Sequence, residues 1–525
     1  MTIREEEKNM DNMDMDKRMA FFGKYLDITG MDHKPYQFEG VRWCLKNELL
    51  ISDIDHGDGD HGHGDVRGGF IADEMGLGKT ITMIGVMLCN FLRHTLIIVP
   101  PILIHQWIAQ IYKTTGHKAL VYHGTANKKK ITLEMLKNAP VVIASYGALV
   151  VRKKQGKGEG EGEGEGEGVV GGAGSLLHQV EWSRIVYDEA HHLRNARTAV
   201  FRGAKMLKTS ITWLVSGTPI QNNLKDFYSL CSILGLPASF YTDKSNIPAF
   251  ISSFVLRRTK KEVGIDMAEL SCNVDTIGWS NVKEMEFAER IHDSIDGAGK
   301  YKLIMMLLAK QTCIMNKLLV KHLPKLIQAG CCNKEDHPST IEACASKSKI
   351  EHVIRAILER KDNGAGKLVF CHFREEIDEI AMCLRNGGVE NVRIFDGRIT
   401  GAKKRRELIE QKADVLILQI QTGCEGLNLQ ENYSEIYFVS PHWNPAVEEQ
   451  AIARCHRIGQ KKPVFIRRFI MGSFVQEPER EDDKKQEQEQ EQEQEQEQEQ
   501  QEQEIMSMDN YIMNVQERKK KLITF

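Results

Sequence analysis

With 525 residues and 41% hydrophobic content, the chain has enough apolar material for packed cores in two or more domains. It has no apolar run of membrane-span length, and its charged start, MTIREEEKNMDNMDMDK, lacks the apolar core of a secretory signal; its twelve cysteines form no C-x-x-C pair, which suits free thiols in a reducing compartment. Acidic tracts at 53–65, 156–168 and 486–504 carry −5, −4 and −9 of a net charge of −3, so the remainder carries about +15, a basic body suited to a polyanionic partner.

Residues 1–33 read as a polar, partly helical leader, and 34–262 as a first α/β domain. At Lys34 the stretch KPYQFEGVRWCL spaces Tyr36, Phe38, Val41 and Leu45 as a packed amphipathic helix. Gln37 is its odd member, because its amide offers both the donor and the acceptor that adenine recognition requires. The Asp/His/Gly tract at 53–65 reads as a flexible loop without rigid geometry for a metal. Next comes GFIADEMGLGKTITM, Gly69–Met83: a short apolar strand, a glycine turn, then a helix start. Backbone N–H groups of Gly76, Leu77 and Gly78 can face phosphate oxygens, Lys79 can reach β- and γ-phosphates, and the Thr80 hydroxyl can bind Mg2+. Asp73 stands where the strict phosphate-loop pattern has its first glycine.

Apolar runs then recur between helical stretches: Thr95–Val99, Val141–Ser145, Arg184–Tyr187 and Thr212–Val215. That alternation predicts a parallel sheet, interrupted by a disordered Gly/Glu loop at 156–174. The run RIVYDEAHHLRN ends a strand in two carboxylates. Asp188 and Glu189 are either charges favouring a helix start or the second half of a nucleotide site. In the second reading Asp188 holds Mg2+ through its water shell and Glu189 orients or deprotonates the attacking water. LVSGTPIQNN is a turn into a capped helix, or an element that senses the γ-phosphate. FVLRRTKK closes the domain in a basic cluster, and 263–349 reads as a mainly helical linker. Cys331, Cys332, His337 and Cys344 fit no zinc module by spacing.

A second series of strands, KLVFC, VRIF, VLIL, EIYFV and VFIRRF, marks a second α/β domain over 350–475 without its own phosphate loop. Gln450, Arg454 and Arg457 fall at i, i+4 and i+7, which places them on one helix face. The two arginines are either a solvated stripe or planar cations for phosphoryl charge. An acidic Gln/Glu linker follows over 476–504, and a helix with a basic end over 505–525.

Taken in order, Gln37, ADEMGLGKT, VPPILIHQW, ASYGAL, DEAHHLRN, SGTPIQNN, VLRRTK, GLNL and HWNPAVEEQAIARCHRIGQ resemble the Swi/Snf-type ATPases of helicase superfamily two. The SCN and HRIGQKKPV segments resemble its repair-associated branch, which includes helicase-like transcription factor, though the RING pattern found in that branch is absent. The resemblance covers about Lys34 to Ile470 and makes Asp73 an ordinary family feature. It implies an α/β fold of two RecA-like parallel-sheet lobes with inserted helical subdomains and disordered low-complexity loops. ATP and Mg2+ would lie between the lobes, with Gln37, Asp73, Gly76, Leu77, Gly78, Lys79, Thr80, Asp188 and Glu189 from one and Gln450, Arg454 and Arg457 from the other. It implies double-stranded DNA as partner, with nucleosomes or other DNA-bound proteins as what the motor displaces. The implied DNA contacts are Gln106, Trp107, Ser145, Tyr146, His372, Thr422, Asn428 and Trp443. The implied location is the nucleus, or a viral replication site for a viral source, and 505–525 resembles the family's brace helix. The expected activity is DNA-stimulated ATP hydrolysis coupled to translocation on duplex DNA, in chromatin remodelling or repair. The alternatives are a strand-separating helicase and a non-catalytic DNA-binding scaffold.

Overall fold

Five-residue runs such as TLIIV and VVIAS have no polar face, so a sheet built from them needs cover on both sides. The computed structural model, which describes residues 13–50, 66–151, 175–217, 224–328, 342–399, 402–423, 427–474 and 506–523, shows that arrangement twice. The low-complexity tracts at 53–65, 156–174 and 476–504, with Cys331, Cys332 and His337, lie outside the described residues. The chain divides into two compact units, Met1–Asp266 and Met267–Phe525.

Unit 1 carries β1 (Arg67–Ile71), β2 (Thr95–Val99), β3 (Leu120–Tyr122), β4 (Val141–Ser145), β5 (Glu181–Trp182), β6 (Arg184–Asp188), β7 (Lys208–Thr209), β8 (Ile211–Val215) and β9 (Val255–Leu256). Seven of these form one parallel sheet in the order β3-β4-β2-β6-β8-β1-β9, while β5 and β7 pair separately. Side chains alternate between faces. Leu96, Ile98, Val142 and Ala144 enter one core, and Ile97, Val99 and Ile143 enter the other. The second core is covered by α1 (Met15–Thr29), α2 (Pro35–Leu49), α3 (Lys79–Cys89) and α4 (Ile104–Thr115).

The expected polar leader is therefore corrected in part. Asp14 caps α1 by accepting from the Lys17 N–H at 2.8 Å, and Met19, Phe22, Tyr25 and Leu26 are buried. Gly85 of α3 admits Phe22, because a Cβ there would lie 2.6 Å from the ring. Below the sheet, Arg184 and Glu48 form an ion pair at 0% side-chain exposure, and Glu48 also accepts from Trp213 Nε1 at 2.8 Å and Asn90 Nδ2 at 2.7 Å.

Unit 2 contains β10 (Leu270–Ile277), β11 (Gly366–Cys371), β12 (Val392–Phe395), β13 (Val415–Gln419), β14 (Tyr433–Phe438) and β15 (Val464–Met471). They form a parallel sheet in the order β10-β15-β14-β11-β13-β12. The stretch read as a helical linker thus opens with an edge strand of the second sheet. Its helices α5 (Val282–Gly297) and α6 (Lys302–Thr312) supply Phe287, Ile291, Met305 and Leu308 to the core over Val369, Ile417, Tyr437 and Phe469. The helix α7 (Pro445–Ile452) leads to the two arginines. The C-terminal α8 (Met508–Ile523) packs into the same core through Met508 and Ile512. Asp509, fully buried, takes Lys349 Nζ, the Ser440 hydroxyl at 3.0 Å and the Met471 N–H at 3.1 Å.

Candidate functional site

The ends of β1, β6 and β8 lie side by side, so the loops that leave them meet at one edge of the unit 1 sheet. Parallel α/β sheets bind ligands at that carboxyl edge. After β1 the chain turns at Gly76 (φ 95) and Gly78 (φ 83), left-handed positions that glycine adopts without strain, and Gly78 caps α3. The first N–H groups of α3 lack partners within the helix, and the helix dipole adds partial positive charge there. Lys79 and Thr80 lie in that first turn. Lys79 Nζ donates to the carbonyl of Asp73 at 2.8 Å and more weakly to that of Glu74 at 3.4 Å. Gln37, buried on α2, holds its amide nitrogen 3.5 Å from the Leu77 carbonyl, and a Cβ on Gly78 would come within 2.8 Å of it. The adenine-type amide and the phosphate-type loop are therefore in contact.

Asp73 needs correction as a nucleotide contact. Its carboxylate is buried and gripped by Arg258, Nη2 to Oδ2 at 2.6 Å and Nε to Oδ1 at 3.1 Å. It braces the base of the loop instead. Arg258, read in sequence only as part of a basic cluster, was missed as a site-supporting residue. A buried Asp at the loop base, which must find a cation, was the available signal.

At the end of β6, Glu189 takes a left-handed backbone (φ 51), a conformation that costs a non-glycine residue about 1–2 kcal/mol. Such strain recurs at functional sites. Burial first, and the Glu189 charge second, push the Asp188 carboxyl up to about 7, while Trp107 and Lys79 pull the other way. Asp188 Oδ1 accepts the Glu189 N–H at 3.0 Å and Oδ2 accepts Trp107 Nε1 at 2.7 Å. The Asp188 and Glu189 carboxylates and the Thr80 hydroxyl, in the first turn of α3, are oxygen donors of the type a hard cation such as Mg2+ takes, and the Lys79 charge of that same turn acts on Asp188. Glu189 Oε2 lies 3.3 Å from His191 Nδ1, and His191 lies 3.5 Å from the Ser216 hydroxyl, which links this motif to β8. Residues 218–223 of the expected phosphate-sensing turn lie outside the described residues.

The expected DNA contacts divide. Gln106 and Asn428 are exposed. Trp107 is corrected: it is 1% exposed and spends its N–H on Asp188. Tyr146 is corrected too, because its buried hydroxyl donates to the Asp188 carbonyl at 2.8 Å. Ser145 is buried, with its oxygen 2.8 Å from His123 Nδ1, and both line a cavity of about 450 Å³ with Gly124, Thr125, Lys128, Lys129 and Gly147. His372 is corrected as an outward contact. Its ring stacks on His442 at 5.7 Å, bonds the Ser440 carbonyl at 3.1 Å and lies 3.3 Å from Lys310 Nζ. Trp443 is half-buried, edge-on to Tyr511 of α8 at 6.2 Å. The Thr422 side chain lies outside the described residues.

In unit 2 the single helical face expected for Gln450, Arg454 and Arg457 is not formed. α7 ends at Ile452, and the Arg454 carbonyl accepts the Leu429 N–H at 3.0 Å in the turn that follows. Gln450 is buried on α7, its amide nitrogen without a partner among the described residues. Arg454 Nε donates to the Gln450 carbonyl at 3.2 Å, and Arg457 Nη1 donates to Asn428. Burial, then the Arg454 charge, lower the Arg457 pKa. Among the described residues no carboxylate pairs with either arginine, so two like charges are held near each other in want of an anion.

Residues 36–320 match the model of the SNF2-related domain, and 348–459 that of the helicase conserved C-terminal domain. The chain is 24% identical to the DNA excision repair protein ERCC-6-like of Danio rerio, over 78% of this chain and 33% of that protein. It thus spans about a third of that relative's length. It is 26% identical to the probable global transactivator of Orgyia pseudotsugata multicapsid polyhedrosis virus, over 80% of this chain and 85% of that one. Among solved structures, the Sulfolobus solfataricus SWI2/SNF2 ATPase core in complex with dsDNA matches with a TM-score of 0.37 and 22% identity, over 84% of this chain and 88% of that chain.

Proposed function

The chain belongs to the SNF2-related family of helicase-like ATPases, and from that premise we propose that it is a duplex-stimulated motor that uses ATP hydrolysis to translocate on double-stranded DNA. One observation carries the reading: Gln37, the Gly76–Thr80 loop and the Asp188–Glu189 pair converge at one sheet edge, beside a basic cavity. Lys79 and the start of α3 would hold the β- and γ-phosphates, and Gln37 the adenine. Glu189 would orient or deprotonate the attacking water. Mg2+, when bound by Thr80 and Asp188, would neutralise phosphate charge. Arg454 and Arg457 would supply cations to the phosphoryl group in turnover, with Gln450 beside them.

The duplex would lie across Gln106 and the cavity of His123, Lys128 and Lys129, groups that meet phosphates rather than base edges, so binding should show little sequence preference and fall steeply with salt. Asn428 and Trp443 are the proposed contacts from unit 2. The load would be a nucleosome or another DNA-bound protein, in transcription or repair, in the nucleus or at a viral replication site. A triplex-displacement assay beside a forked-duplex unwinding assay tests the motor class. ATP-dependent release of the third strand without fork opening is expected. Fork opening would turn the reading to a strand-separating helicase, and inactivity in both would sink translocation.

A further inference from the structure

Asp188 is gripped by two side chains that come from different elements. Trp107, on α4, reaches one carboxylate oxygen at 2.7 Å, the length of a charge-assisted bond. Tyr146, just past the end of β4, donates to the Asp188 carbonyl at 2.8 Å. Each donor follows directly on a residue that faces another way. Gln106 is exposed, and successive helical residues point about 100° apart, so α4 presents Gln106 outward and Trp107 inward. Ser145 lines the basic cavity with His123 and Lys128, while Tyr146 turns its ring onto His192 at 4.9 Å and its hydroxyl to Asp188. His192 in turn stacks on His191 at 4.8 Å, whose ring lies beside Glu189. A buried tryptophan needs an acceptor, and a backbone carbonyl would serve. Here the donor is committed to the carboxylate proposed to face the nucleotide.

We propose that Trp107 and Tyr146 are positioning residues that couple occupancy of the outer face, at Gln106 and the Ser145 cavity, by a nucleic-acid backbone to the placement of Asp188. The inference rests on the duplex reading given above. Such coupling is a linkage. Duplex must change nucleotide affinity by the same factor by which nucleotide changes duplex affinity. Packed elements shift between discrete arrangements rather than deforming smoothly, so a shift of α4 or of the turn after β4 would carry the donor with it.

The test uses the full chain with Trp107→Phe and Tyr146→Phe. Affinity for a fluorescent non-hydrolysable ATP analogue with Mg2+ is titrated with and without saturating duplex, and duplex affinity with and without the same analogue. The wild-type coupling factor is expected at roughly 5- to 150-fold. In both variants it falls toward 1 while duplex affinity without nucleotide stays at the wild-type value. Tyr146→Phe loses one oxygen and keeps the ring, so it reports even where Trp107→Phe unfolds the lobe. A wild-type factor in a folded variant overturns the relay, and so does loss of duplex binding by itself, which would make these residues ordinary supports of the surface. A wild-type chain that binds no duplex overturns the duplex reading and the relay together, and one that binds duplex without coupling overturns the relay alone.

Discussion

Replacing Arg258 with alanine isolates what holds the phosphate loop. Arg258 threads between α2 and the loop: its guanidinium pairs with Asp73 through two bonds, and its Nη1 also donates to the Tyr36 carbonyl. A Cβ on Gly40 would lie 2.7 Å from Nη2, so the passage is tight. The Asp73 side chain is 1% exposed and the Arg258 side chain 14%. The variant leaves a buried carboxylate without its cation, which costs about 3–5 kcal/mol. In a domain of this size each kcal/mol lowers Tm by about 2–4 °C, so the transition of unit 1 should fall by roughly 6–20 °C. The same change should weaken nucleotide, because the Asp73 carbonyl is a seat for Lys79 Nζ. A tenfold loss of affinity, about 1.4 kcal/mol, would follow from a small shift of the loop. Calorimetry and titration of a fluorescent nucleotide read the two effects. Adding Asp73→Asn to the same chain should restore part of the melting temperature, since the cost lies in the orphaned charge. An Arg258→Ala chain with wild-type melting and wild-type nucleotide affinity would refute the reasoning.

Glu48→Ala strands Arg184 at 0% exposure and removes the acceptor of Trp213 and Asn90, so urea unfolding of unit 1 should show a loss of about 3–5 kcal/mol. Asp509→Ala should destabilise unit 2 by a similar amount, about 3–5 kcal/mol, because Lys349 stays buried without its partner, and a melt of unit 2 unchanged by it would contradict the role given to α8. Asp188 titrates at about 7 in the folded chain against an ordinary 3.8, so the folded form binds more protons than the unfolded one between those values. Stability of the nucleotide-free protein should therefore fall as pH rises through that window. Nucleotide with Mg2+ favours the ionised carboxylate and should bind more weakly as pH drops below about 7, and Asp188→Asn should flatten both profiles.

The buried strands were readable from sequence because each is apolar on both faces. TLIIV and VVIAS occupy β2 and β4 over the expected residues. The strands that escaped are the ones that lack this pattern. β3 and β9 have three and two residues, and β10 is exposed along most of its length, so LSCNVDTI carries polar residues that a central strand would not. The nucleotide residues were legible because phosphate chemistry demands particular groups next to each other in the chain. What periodicity could not supply was direction. Gln106 and Trp107 were read together as surface contacts, yet one faces solvent and the other a carboxylate 81 positions away. The Gln450–Arg457 face failed for a tertiary reason. The chain leaves the helix at Ile452 as the Arg454 carbonyl turns to Leu429, and a period of 3.6 cannot foresee that bond.

The central claim is that the nucleotide site at the sheet edge of unit 1 supports ATP hydrolysis and that duplex DNA accelerates it. Phosphate release by the full chain, with and without duplex, in wild type, Lys79→Ala and Glu189→Gln, tests it most directly. The account predicts duplex-stimulated release in the wild type and none above background in either variant, with duplex binding kept in both. Release that duplex leaves unchanged, or that survives Lys79→Ala or Glu189→Gln, would contradict it.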